Sequence, residues 1–316
     1  MSDDIYAVID RQEDVAKRAK ARGGGSDGQK PYNKEEYAAK KKAERDSAYL
    51  LIETVAQRIS EDPVAFKDYL DVTARFLRYS TNNTLLIFGQ MPDAVRLGDF
   101  DAWKRRGASV AKGAHAIAIL EPGDEYTRED GTIGVSYNVK KVFDECQTSA
   151  RHLEPRYADT HTLLTALINT APVAITTVEE MPQEQGHVAY DHKSRKVLVT
   201  RGLDGEQLFK AIATELAHAV MAGRSDTYDY KANSTTAQLA AYVVAGRFGV
   251  DNSEIMPVLS VASQDGLTPD VHKELVRIHD VSKAISDCMN LALETSKTKD
   301  ALSEHASPSR GGKDVR

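Results

Sequence analysis

Glu215 and His218 stand one helical turn apart in the run Ala213-Thr214-Glu215-Leu216-Ala217-His218. On a helix this spacing turns a carboxylate and an imidazole towards the same side. There the glutamate has the chemistry of a general base and the imidazole that of a zinc ligand. The complete zinc-holding pattern is H-E-x-x-H, with two imidazoles one turn apart. Thr214 occupies the first of those positions. A neutral hydroxyl is a poor zinc ligand, so the segment keeps the helix and loses a metal ligand. The surrounding 205–222 stretch carries few charges and reads as a buried helix. Glu215 and His218 are then desolvated and each needs a partner, either in a functional site or as a Glu–His pair inside a structural core.

A second group of residues has the chemistry of single-strand binding. Trp103, the only Trp of the chain, is followed at once by Lys104, Arg105 and Arg106, and Lys112 lies in the next loop. Arg75, Arg78 and Tyr79 close a helix just before Asn82 and Asn83. Binding a single strand takes cations along the phosphates and flat side chains under the bases, and Asn amides pair with exposed base edges. The alternative is structural. Trp103 then anchors its helix to the core, the basic run is a solvated face, and Asn82 or Asn83 caps the following helix.

The elements that would position these groups follow from periodicity and punctuation. Leu51, Ile52, Val55 and Ile59 have helical spacing. Asp62 and Pro63 open a second helix, with Phe66, Tyr69, Leu70, Thr73 and Leu77 on one face. A short helix over 99–106 stops at Gly107, and strands are predicted at 115–120 and 133–143. The polar stretch between those strands holds two turn signals, Pro122-Gly123 and Asp130-Gly131. Further on come a helix at 158–169, a strand at 173–178, and a hairpin of 188–190 and 197–199. Asp204 and Gln207 form a capping box for the Glu215 helix. Helices over 235–248 and 269–294 complete the chain, and Phe76 and Phe88 are core candidates.

Composition bounds the class. The chain has 316 residues, 41% of them hydrophobic, with mixed charge and a net charge of −6. That is a globular protein of one large or two moderate domains, and it argues against coating nucleic acid by charge alone. Cys146 and Cys288 show no metal or disulfide spacing, which with the acidic, h-region-free start predicts a cytoplasmic protein. No apolar run nears the about 20 residues of a membrane helix. Residues 1–45 read as a charged, partly disordered segment with a short amphipathic helix at Ile5–Ile9, a Gly23–Gly28 linker and a solvated Lys40-Lys41-Lys42 face; residues 296–316 read as a disordered tail.

Residues 46–148 resemble the N-terminal single-stranded DNA-binding domain of ArdC antirestriction proteins. The resemblance is carried in order by Ser80-Thr81-Asn82-Asn83-Thr84-Leu85-Leu86-Ile87, Gln90-Met91-Pro92-Asp93-Ala94, Phe100-Asp101-Ala102-Trp103-Lys104, Lys112-Gly113 and Val142-Phe143-Asp144. Residues 149–295 resemble the zincin-like metallopeptidase domain that follows it in ArdC- and LtrC-type proteins. There the carriers are the Ala189-Tyr190-Asp191 hairpin, the Thr214–His218 run and Gln238-Leu239-Ala240-Ala241-Tyr242.

The resemblance implies an α+β fold, with a mixed helix and small-sheet domain preceding a zincin-like one. It implies that Gln238 replaces a third metal ligand, so that Glu215 is a vestigial general base and His218 a vestigial ligand. No cofactor is then expected, and the peptidase-like half is expected to lack activity. Zinc would be held only by a rerouted site drawing on His187, Asp191, His192, Asp226 or Asp229. The implied partner is single-stranded DNA, bound through Arg75, Arg78, Tyr79, Asn82, Asn83, Trp103, Lys104, Arg105, Arg106 and Lys112. The implied setting is a plasmid or conjugative element. Two rivals stay open: an active metallopeptidase with substitute ligands, and an inhibitor that binds a host defence or conjugation protein.

Overall fold

The computed structural model describes residues 34–181, 186–225, 227–253 and 270–306, the side chains from 296 onward excepted. The N-terminal helix at Ile5–Ile9, the Gly23–Gly28 linker and Asp226 lie outside the described residues. The chain divides into two units, Met1–Lys42 and Ala43–Arg316. Of the first, the described part is the opening of α1 (Lys34–Glu61), where Lys40 and Lys42 are exposed.

The second unit is a mixed α+β fold with two small sheets, as the sequence implied. Asp62 caps α2 (Pro63–Arg75), its side chain accepting from the amides of Val64 and Ala65, with Pro63 at the first helical position. Ser80, rather than Asn82 or Asn83, caps α3 (Thr81–Gln90). Asp99 caps the short α4 (Phe100–Arg105), after which Gly107 takes φ +75° and turns the chain.

The first sheet has the order β1 (Leu97–Gly98), β3 (Ile133–Asp144), β2 (Ile117–Thr127), all antiparallel. The stretch after Leu120, predicted to connect two strands, is instead strand as far as Thr127. The hairpin accommodates Pro122-Gly123 by a register shift between Pro122 and Glu125. A Cβ on Gly123 would stand 2.6 Å from Asn138 Nδ2, so a larger residue there would displace the exposed Asn138 side chain. The true turn is at Gly131, φ +81°.

After α5 (Thr160–Asn169) the second sheet runs β4 (Ala174–Thr177), β6 (Lys196–Val199), β5 (Val188–Asp191). β4 is parallel to β6, and β5 forms the predicted hairpin with it. Asp204 and Gln207 make the capping box that opens α6 (Gly205–Ala222). α7 (Ser234–Arg247) and α8 (Val271–Ala306) follow. α8 runs well past 294, so residues 296–306 are helical backbone and not the irregular tail expected from their polarity.

Two large cores hold these elements. One joins α1, α2, α3 and the first sheet, with Phe76 and Phe88 among its members, and takes in Leu239, Tyr242 and Val243 of α7 and Leu275 and Ile278 of α8. The other joins α5, the second sheet and α6 to the opposite side of α7 and to α8. α7 is thus buried nearly all round, which fits its small, uncharged sequence from Ala237 to Ala245. Polar ties reinforce the first core: the Tyr242 hydroxyl donates to Asp71 at 2.7 Å, and His279 Nε2 donates to the Tyr79 carbonyl at 2.8 Å.

Candidate functional site

α6 buries Glu215 and His218 as its apolar sequence requires. The Glu215 carboxylate accepts from the Tyr190 amide of β5 at 2.8 Å and from the Tyr230 hydroxyl at 2.9 Å. His218 stacks face to face on Tyr230, centroids 3.7 Å apart, and its Nδ1 pairs with the Tyr228 hydroxyl. Burial raises the Glu215 pKa, opposed by the Tyr190 amide and the Tyr230 hydroxyl. Burial pulls His218 down to about 4, so the ring is neutral near pH 7. Burial also raises both tyrosines, helped by the nearby Glu215 charge. The result is a buried Glu–Tyr–His–Tyr arrangement in which the Glu215 carboxylate and His218 Nδ1 are both hydrogen-bonded.

The donor set does not fit a zinc ion. Thr214 turns its hydroxyl back along the helix to the Lys210 carbonyl at 2.9 Å. Gln238 is exposed on α7, away from the buried Ala237, Ala240 and Ala241. Three of the possible substitutes are engaged elsewhere. Asp191 holds its own turn through the Lys193 amide and Ser194, His187 Nδ1 pairs with Thr200, and Asp229 caps Ala232. His192 stands with its ring centroid 6.0 Å from that of Tyr228. Among the described residues no three His, Cys, Asp or Glu side chains converge as a metal cluster would require.

The predicted nucleic-acid residues separate into interior and surface groups. Trp103 is 1% exposed and its indole N–H donates to the Phe143 carbonyl at 2.9 Å. Arg106 covers the ring at 4.9 Å. Trp103 therefore presents no face to a base, which corrects the expectation of stacking there. Asn83 is also interior: its amide makes paired bonds to the Leu120 amide and carbonyl, at 2.7 and 2.8 Å, and splices α3 to β2. Asn82 pairs with His272 of α8 at 2.6 Å. Arg75 donates to the carbonyls of Ala94 and Pro92 and fastens the loop after α3.

The remaining cations face solvent. Arg78, Lys104, Arg105, Arg106 and Lys112 are all exposed. Tyr79 is half-buried against Phe76. Burial raises its pKa, while the charges of Arg78, Lys140 and Arg106 pull the other way. Lys140 is neutralised by Asp99 at 3.1 Å and Glu121 at 3.3 Å. Nothing comparable holds Arg78 or Arg106 among the described residues.

Several residues were missed in the sequence. Tyr228 and Tyr230 complete the Glu215 cluster from a loop after α6, and their only signal is a Tyr pair following a buried E-x-x-H. Phe100 is 62% exposed beside that basic run, resting on Phe143 with centroids 4.6 Å apart. No described helix is long and apolar enough to cross a membrane.

No protein-family model matches the chain, and no curated protein matches it. Solved structures similar to it include the Mn(II)-bound crystal structure of antirestriction ArdC protein from R388 plasmid. That match has a TM-score of 0.49 and 13% identity, covering 77% of this chain and 97% of that one. The metal-free structure of the same plasmid protein matches with a TM-score of 0.42 and 15% identity, covering 70% and 86%.

Proposed function

We propose that this chain is an ArdC-like antirestriction protein of a mobile element that binds single-stranded DNA, acting beside host defence or conjugation proteins. The observation that carries the DNA reading is the set of five exposed cations, Arg78, Lys104, Arg105, Arg106 and Lys112, left without carboxylate partners among the described residues on a chain of net charge −6. An acidic protein has carboxylates to spare for neutralising such groups. Cations kept free of carboxylates favour an anionic ligand, and a phosphate backbone is the extended form of one. Phe100 supplies an exposed ring beside them, in the stacking role the sequence suggested for Trp103.

The second half serves, in this reading, as a metallopeptidase-like domain without peptidase chemistry. Glu215 is a vestigial base and His218 a vestigial ligand, both now held by tyrosines. The support is the closed bonding of Glu215 and His218 together with the back-bonded Thr214 and exposed Gln238. The test is alanine at Lys104, Arg105 and Arg106 together. These exposed positions leave folding intact, and oligonucleotide affinity should fall steeply at low salt. Unchanged affinity would move the interface elsewhere.

A further inference from the structure

Arg247 closes α7 half-buried, with Nη1 donating to the Arg75 carbonyl at 3.2 Å at the end of α2. That bond places it beside the segment carrying Arg78. Neither arginine has a carboxylate in ion-pair range among the described residues. Of the groups that favour the Arg247 cation, Tyr157 comes first, and Asp287, the one carboxylate among them, is already engaged by Lys283. Burial and the like charge of Arg78 both destabilise the Arg247 cation. Two neighbouring cations, one of them partly desolvated, are costly unless an anion joins them.

Immediately beyond Arg247 the chain turns through Gly249, φ +75°. The ring of Tyr157 lies on this glycine so closely that a Cβ there would stand 2.3 Å from it. One side of the ring is therefore fixed against backbone, while Tyr157 as a whole remains 54% exposed. A flat ring held still, open on its outer side and adjoining a cation is the arrangement that stacks a base next to a gripped phosphate.

We infer that Arg78 and Arg247 together grip a backbone phosphate and that Tyr157 stacks the adjoining base, so that the bound strand continues from the first half of the chain onto the end of α7. This rests on the reading that the chain binds single-stranded DNA. It adds a contact site that no sequence motif marked, built from residues far apart in the chain.

The experiment is fluorescence anisotropy of labelled oligothymidylate with the full chain and four variants. Tyr157→Ala should weaken binding about ten-fold, while Tyr157→Phe, which keeps the ring, should bind like the parent. Arg247→Gln, which keeps a donor for the Arg75 carbonyl, should reduce the salt dependence by about one phosphate contact. An oligonucleotide carrying 5-iodouracil should photo-crosslink to Tyr157. If Tyr157→Ala and Arg247→Gln bind like the parent while Arg78→Ala weakens binding, the strand stays on the first half: the inference falls and the DNA reading stands. If the parent itself binds no oligonucleotide, both fall.

Discussion

Tyr230 lies flat on His218, ring planes 10° apart and centroids separated by 3.7 Å, while its hydroxyl reaches the Glu215 carboxylate at 2.9 Å. One tyrosine thereby occupies the space over both residues of the E-x-x-H run. The loop after α6 thereby gives both buried groups a neighbour, a hydroxyl for the carboxylate and a ring for the face of the imidazole.

Restoring ligand types alone should therefore not restore a zinc site. Thr214→His with Gln238→Glu supplies the missing donors, yet Gln238 is exposed on α7 and the Tyr228 hydroxyl already takes His218 Nδ1. Zinc content of the purified double variant should equal that of the parent. Stoichiometric uptake would show that the tyrosines move aside and that the site is latent.

Stability should depend on pH through His218. Its pKa is about 4 when folded against 6.5 as the ordinary value. Between those values the unfolded chain binds more protons, so stability is greatest above about pH 6.5 and falls as pH drops towards 4. The loss is on the order of 3 kcal/mol. Glu215, raised by burial, acts in the opposite direction as pH climbs above its ordinary value, and partly masks the effect. In Glu215→Gln the acid-side loss should be steeper, and in His218→Phe it should largely vanish. Urea unfolding at several pH values checks both.

Trp103 should matter for stability and not for DNA. Trp103→Phe removes buried volume and leaves the Phe143 carbonyl without its donor, at a cost of about 2–3 kcal/mol. Oligonucleotide affinity of the folded variant should match the parent. A large affinity loss with unchanged stability would return Trp103 to the interface.

Asn83 should behave in the same way. Asn83→Ala leaves an amide and a carbonyl of Leu120 unpaired, for about 1–3 kcal/mol. Asn83→Asp should cost more, because a carboxylate oxygen would then face the Leu120 carbonyl. Thermal melts of the two variants give the ranking directly.

The contrast between these residues explains what the sequence revealed. Asp62-Pro63 and the Asp204–Gln207 box act within three residues of themselves, so the starts of α2 and α6 were legible, as was the stop at Gly107. The buried character of Glu215 and His218 followed from the low charge of their helix. Trp103 and Asn83 are decided by partners 40 and 37 residues away, which no local pattern encodes. The bulge at Pro122-Gly123 reads as a turn locally, and only the pairing of β3 with the continuing strand makes it part of a hairpin. Tyr157 depends on Gly249, and Arg247 on the end of α2, so their place beside Arg78 emerges only after the chain has packed.

The central claim is that this acidic chain binds single-stranded DNA through cations it leaves unpaired. The most direct measurement is anisotropy of a labelled single-stranded oligonucleotide titrated with the full chain at several salt concentrations, with a duplex of the same sequence as competitor. The expected result is binding that weakens linearly in log affinity with log salt and prefers the single strand over the duplex. Absence of binding at low salt, or equal competition by duplex, would contradict it.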